Sequence, residues 1–205
     1  SNWLIDLDNT IYPTNINLFD QIDKRMKSYI SLNLGLTIEE SYKLQKKYYM
    51  ENGTTLKGLM LYHNIKPDDF LEYVHDIDLS KLKYDSELFN GFKKLKGKII
   101  IFTNGSSKHA ERILNKLKLL DFIYDIFDIS SSNYIPKPNI EAYKALIKKH
   151  NLITDKTIMI DDIPKNLETA KTLGIKTIWI NSTDHPDNNF SSFNENYPYI
   201  DFKIK

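Results

Sequence analysis

Four short apolar runs, each cut off by polar residues, constrain this 205-residue chain more than any other feature. Trp3-Leu4-Ile5-Asp6-Leu7 gives way to Asp8-Asn9-Thr10, and Lys98-Ile99-Ile100-Ile101-Phe102 to Thr103-Asn104-Gly105. Thr157-Ile158-Met159-Ile160 gives way to Asp161-Asp162. Ile175-Lys176-Thr177-Ile178-Trp179-Ile180 runs into a polar stretch, Asn181 to Asn196, that reads as a loop or tail. A weaker run is Ile126-Phe127-Asp128-Ile129. Runs of this length and character are those of strands buried on both faces. Apolar residues three and four apart mark helices between them, at about Ser106 to Leu119, Ile140 to His150 and Pro164 to Leu173. Gly97 and Gly174 sit where a helix would stop and a strand begin. Strands alternating with helices give an α/β fold, a doubly wound parallel sheet covered on both faces.

Asn15 to Tyr84 breaks that rhythm, with several helical patterns in a row and no convincing strand. Thr37-Ile38-Glu39-Glu40 is a capping box opening one helix. Pro67-Asp68-Asp69 is a first turn, with Pro at N1 and acids near the positive end of the dipole. The expected organisation is an α/β core over 1–14 and 85–205, with an all-helical cap over 15–84 inserted after the first strand. The alternative is that these helices form one layer of the main domain.

Composition narrows the function. Lys+Arg 28 against Asp+Glu 27 gives a formal net charge of +1, so there is no electrostatic pull towards nucleic acid or a membrane surface. Only Arg25 and Arg112 are arginines, and Arg is the usual reader of phosphates and bases in nucleic acid. The absence of Cys excludes disulfides, thiolate metal sites and a cysteine nucleophile. No stretch approaches the ~18 apolar residues of a membrane helix. Ser1 to Ile5 lacks a signal-peptide layout, and a cytoplasmic home is the expectation.

The polar residues all fall where strands end. Asp6 and Asp8 end the first run, Thr103-Asn104 follow the second, and Asp161-Asp162 follow Ile160. Lys137, between Pro136 and Pro138, lies in a loop after the weaker run. Ligands of an open parallel sheet bind outside the carboxyl ends of its strands. Each signal alone is ordinary: a cap, a turn, a surface Lys-Pro. Together they bring acids for a cation and donors for an anion to one place.

In order, Asp6-Leu7-Asp8-Asn9-Thr10, Thr103-Asn104, Lys137 and Asp161-Asp162 resemble the four motifs of the haloacid dehalogenase-like hydrolase superfamily. The resemblance covers nearly the whole chain and implies a Rossmann-like core with a helical cap. Asp6 to Pro13, Gly53 to Met60 and Ile100 to Asn104 are also similar to the pyrimidine 5'-nucleotidase group.

This resemblance implies a phosphomonoester hydrolase with Asp6 as nucleophile, forming an aspartyl phosphate. Asp8 would serve as general acid and base, provided the chain bends there; in a plain extended strand it would share a face with Asp6. Two anions, Asp6 and phosphate, need a cation between them. Carboxylates with no Cys, and His scattered at 63, 75, 109, 150 and 185, favour Mg²⁺ over zinc. The expected ligands are Asp6, the Asp8 carbonyl and Asp162, with Asp161 ligating directly or supporting from behind. Thr103, the N–H groups near Asn104 and Lys137 would hold the phosphate. Thr10 is expected to brace the loop. Phe19, Tyr48, Tyr49 and Tyr62 read as packing, Thr54 and Thr55 as helix caps, and the histidines as structural or exposed.

The expected partner is a small phosphorylated metabolite, a nucleoside monophosphate of the UMP or CMP type, and not nucleic acid or a membrane. The alternatives are a phosphatase of a sugar phosphate, phosphoglycolate or vitamin phosphate, a phosphomutase, or a non-catalytic phosphate-binding regulator. Dehalogenases lack the second acid, so Asp8 favours phosphate chemistry.

Overall fold

The structure is a computed structural model that describes residues 1–180 and 196–204. The chain divides into two compact units, one of residues 1–16 with 80–205 and one of residues 17–79.

The larger unit is built on a six-stranded sheet in which every neighbouring pair is parallel. β1 (Asn2–Ile5) is followed, after the four helices of the smaller unit, α1 (Leu18–Leu34), α2 (Ile38–Asn52), α3 (Thr55–His63) and α4 (Pro67–Val74), by α5 (Ser86–Lys94) and β2 (Lys98–Phe102). Then come α6 (Ser107–Leu117), β3 (Asp125–Phe127), α7 (Ile140–His150) and β4 (Thr157–Asp161). α8 (Pro164–Thr172), β5 (Lys176–Ile180) and β6 (Phe202–Ile204) complete it. The strand order is β3-β2-β1-β4-β5-β6, so β1 sits at the switch point with β2 on one side and β4 on the other. Ile5 lies level with both Ile101 and Ile160, which brings the ends of three strands to one edge.

One face of the sheet is filled by Leu4, Ile100, Phe102 and Met159, packed with Tyr143 and Leu146 of α7 and Leu167 and Ala170 of α8. These side chains are 0–2% exposed, which is why the strands read as unbroken apolar runs. Gly97 (φ 101°) and Gly174 (φ 79°) take the left-handed turns that lead into β2 and towards β5.

The smaller unit contains only helices: α1 (Leu18–Leu34), α2 (Ile38–Asn52), α3 (Thr55–His63) and α4 (Pro67–Val74). Thr37 and Glu40 form the reciprocal capping box at α2, and Pro67 with Asp68 and Asp69 opens α4. Thr54 caps α3 by accepting the Lys57 N–H, whereas Thr55 is the first helical residue and donates to the Gln45 carbonyl. Tyr48 is buried and stacks on Tyr62 at 5.4 Å; Tyr49 and Tyr62 are exposed.

Several boundaries differ from the sequence reading. β1 ends at Ile5, two residues early, because the chain turns directly after it. The strand of the weaker run is Asp125–Phe127, since Asp128 leaves the sheet to bind the start of α6. β6 was not foreseen: Phe202-Lys203-Ile204 is too short to stand out as a periodic segment. Residues 181–195 of the expected polar loop, His185 among them, lie outside the described residues. No helix among the described residues is long and apolar enough to cross a membrane.

Gly58 and Gly91, each inside a helix, separate two effects. Ala in place of helical Gly normally gains up to about 1 kcal/mol. At Gly58 an added Cβ would lie 2.2 Å from Tyr48 Cγ and 2.5 Å from Tyr48 Cβ, an atom fixed to the backbone; at Gly91 it would meet nothing within 4 Å. Overpacking typically costs about 1–3 kcal/mol, so the clash outweighs the propensity. Gly58→Ala should destabilise by about 2 kcal/mol in urea unfolding, while Gly91→Ala stabilises slightly. Equal stability of the two variants would contradict the packing described.

Candidate active site

Immediately after β1 the chain stops being extended. Asp6 still donates its N–H to the Ile160 carbonyl, but Thr10 and Ile11 both fold back onto the Leu7 carbonyl, and Asn9 adopts φ 62°. The turn gives the two acids different partners. Asp6 is 8% exposed among polar groups of the core, and the Thr10 hydroxyl lies 2.9 Å from Asp6 Oδ2 and 3.3 Å from Asp162 Oδ1. Thr10 therefore braces the turn, as expected.

Lys137 reaches the same place from the loop before α7. Its buried ammonium lies 2.7 Å from Asp6 Oδ1 and 2.8 Å from Asp161 Oδ2, and 5.0 Å from the centre of the Phe102 ring. Burial works against the Lys137 charge, but the Asp161 and Asp6 carboxylates more than reverse that, and its pKa is raised. Asp161 is held on every side. Oδ1 accepts the Ile163 N–H at 2.9 Å and the Asn166 amide at 3.0 Å, which fixes the start of α8. The Asn166 carbonyl in turn accepts the Tyr143 hydroxyl at 2.8 Å. Asp162 is buried too, its main-chain carbonyl taken by the Trp179 indole N–H at 2.9 Å. Burial pushes the Asp6 carboxyl well above the usual carboxylate range; Lys137 opposes this, and Asp161 and Asp162 add to it.

Asp8 has different neighbours. Its Oδ1 accepts the Tyr12 hydroxyl at 2.5 Å and lies 2.8 Å from His109 Nε2. Tyr12 is four residues along the same turn, and His109 stands in the first turn of α6. Thr103 follows β2, where its N–H donates to the Phe127 carbonyl and its Oγ1 accepts the Gly105 N–H at 2.9 Å. The Asn104 side chain is committed to the Lys137 main chain at both ends, accepting its N–H at 2.8 Å and donating to its carbonyl at 3.1 Å. Asp128, kept below the usual carboxylate range although burial raises it, accepts the Ser107 N–H and bonds from Ser130 and Ser131.

Thus Asp6, Lys137, Asp161 and Asp162 come together as one buried cluster, Asp8 leaves the same turn toward His109, and Thr103 and Asn104 lie at the end of the neighbouring strand. His109 and Tyr12 were missed as site residues. A single His on a helix has no spacing that marks it, and only the fold brings it beside Asp8.

Residues 4–174 match the model of the haloacid dehalogenase-like hydrolases. The chain belongs to that family. It is 28% identical over 191 residues to Phosphate metabolism protein 8 of Saccharomyces cerevisiae, with 84% of this chain matched but only 59% of that protein's length. It is 26% identical over 221 residues to glyceraldehyde 3-phosphate phosphatase of Methanocaldococcus jannaschii, covering 94% of this chain and 91% of that protein. In fold, this haloacid dehalogenase-like chain is similar to a HAD phosphatase from Thermococcus onnurineus, at TM-score 0.63, 19% identity, and 100% and 93% of the two chains. It is also similar to the putative HAD-hydrolase YfnB from Bacillus subtilis, a structure bound to magnesium, at TM-score 0.58, 17% identity, and 99% and 93% coverage.

The donor set suits a hard divalent cation. Asp6, Asp161 and Asp162 each present an oxygen within 4.8 Å of the others, and Lys137 pairs with two of the three, Asp6 and Asp161.

Two stability predictions follow from this charge balance. Without divalent metal, Asp6 makes the fold favour acid. Its contribution is intact below its ordinary value of 3.8 and is lost as pH climbs through the raised folded-state value. Thermal unfolding should therefore show wild type losing stability as pH rises above the ordinary value of 3.8, and Asp6→Asn losing less; parallel profiles would contradict this. Lys137→Met leaves three buried acids without their cation and should cost roughly 3–5 kcal/mol near neutral pH.

Proposed function

We propose that this chain is a magnesium-dependent phosphomonoester hydrolase whose substrate is a small phosphorylated metabolite. The observation that carries this reading is that two acids of one turn have different partners. Asp6 pairs with Lys137 in a buried carboxylate cluster, and Asp8 is held by two other side chains, Tyr12 and His109. Two carboxylates in two environments are what nucleophile and proton carrier require.

Asp6 Oδ attacks phosphorus in line while the bond to the ester oxygen breaks, and Asp8 gives its proton to that leaving oxygen. Water then attacks the phosphorus of the aspartyl phosphate. Asp8 takes its proton, the bond to Asp6 breaks, and phosphate leaves. Lys137 offsets charge on Asp6 and on the transferring group. The Thr103 hydroxyl and the main-chain N–H of Asn104 receive phosphate oxygens, and the Asn104 side chain keeps Lys137 in place. Asp6, the Asp8 carbonyl and Asp162 would hold Mg²⁺, with Asp161 anchoring Lys137 and α8 behind them. Bound there, Mg²⁺ supplies charge neutralisation between nucleophile and phosphate. We read the inserted helical unit as the cap that selects the organic part of the substrate.

For that substrate we favour a pyrimidine nucleoside monophosphate, supported by the Asp6 to Pro13, Gly53 to Met60 and Ile100 to Asn104 stretches. A second reading, a triose or other sugar phosphate, is supported by the nearly full-length likeness to the glyceraldehyde 3-phosphate phosphatase.

Phosphate release from UMP, CMP, dUMP, AMP, GMP, glyceraldehyde 3-phosphate, other sugar phosphates and phosphoglycolate tests this. Turnover should require Mg²⁺, be led by UMP or CMP, and fall at least about 1,000-fold in Asp6→Asn. Turnover led by a sugar phosphate would transfer the assignment to the second reading. Activity on none of these esters would refute the phosphatase.

A further inference from the structure

Among the groups that reading leaves unused, His109 and Tyr12 stand out, because both are buried and both bind the same atom. The His109 side chain is 0% exposed, while Asp8 is 16% exposed. Tyr12 is 2% exposed and makes its bond at 2.5 Å, and His109 makes its own at 2.8 Å. The two donors arrive from different elements, Tyr12 from the turn that carries Asp8 and His109 from α6.

Resting on the phosphatase reading, we propose that His109 and Tyr12 are positioning residues for protonation of the leaving group, clamping Asp8 through Oδ1 so that its transferable proton rides on Oδ2. A carboxyl oxygen that accepts two hydrogen bonds is the carbonyl-like one; the acid proton belongs on the other. With Asp8 as acceptor, the His109 hydrogen resides on Nε2. Unclamped, a partly exposed Asp side chain rotates among several orientations, and only a few deliver the proton along the breaking P–O bond.

The rigidity of the clamp comes from the fold. His109 is fixed by its position in α6, where its N–H donates to the Ser106 hydroxyl oxygen at 3.2 Å. The same helix starts just beyond Thr103-Asn104, and Asp128 secures its first turn through Ser107. This helix therefore carries the His109 half of the clamp and follows directly from the phosphate loop. Tyr12 is fixed by the Leu7–Ile11 turn and its own burial.

A leaving-group series tests the clamp, because a positioning role for a proton donor matters only when the departing oxygen needs a proton. The value of kcat/KM reports steps up to formation of the phosphoenzyme, so later hydrolysis does not enter. Tyr12→Phe keeps the ring and removes only the hydroxyl; His109→Ala removes the imidazole; His109→Gln offers an amide donor at similar reach. On alkyl phosphates, Tyr12→Phe and His109→Ala should each lose roughly 10- to 100-fold in kcat/KM. On 4-nitrophenyl phosphate, whose leaving group needs no proton, the loss should stay within about threefold. His109→Gln should recover part of the alkyl-ester rate only. The same loss on every ester, or no loss on any, in Tyr12→Phe and His109→Gln would overturn the clamp while leaving the phosphatase standing. A wild type that hydrolyses no ester would overturn both.

Discussion

The ammonium of Lys137 lies within 2.8 Å of both Asp6 and Asp161, and the buried edge of the sheet depends on that contact. Three buried carboxylates repel one another, and each would shed its charge or force the site open if left alone. One lysine cannot balance all three. Burial above all, with Asp161 and Asp162 adding to it, drives the Asp6 carboxyl upwards, and the residual negative charge gives the site its appetite for a divalent cation. Stability and proposed chemistry are thus coupled: what makes the metal-free cluster uncomfortable is what a phosphate with its cation relieves.

The parallel sheet makes the cluster possible. β1 lies between β2 and β4, so residues just past three neighbouring strand ends converge without any long excursion of the backbone. The supports extend well beyond the acids. Asn104 holds the Lys137 main chain, Asn166 holds Asp161, Tyr143 holds Asn166, and Trp179 holds Asp162. Asn166, Tyr143 and Trp179 are buried, as suits a site that must keep its geometry while charge moves.

What the sequence made legible was whatever has a local signature. Strands buried on both faces announce themselves as apolar runs, and Asp6, Asp8, Thr103, Asn104, Lys137, Asp161 and Asp162 stood out because each interrupts or follows such a run. The Thr37–Glu40 capping box and the Pro67 turn were legible for the same reason. What escaped depends on distance in the chain. His109 is separated from Asp8 by 101 residues and looks like any helical His. The Asn104 side chain could be assigned to phosphate as readily as to Lys137, 33 residues away, until the loops were seen side by side. β6 is three residues long and is made a strand by pairing with β5, not by periodicity.

The claim at the centre of this account is that Asp6 carries the phosphoryl group. Acyl phosphates are reduced by borohydride, so quenching the enzyme during turnover into borohydride should convert the phosphorylated aspartate to homoserine. The account predicts homoserine at position 6 in the peptide spectrum, dependent on both substrate and Mg²⁺. Sustained turnover with unmodified Asp6, or with the label on another residue, would contradict it.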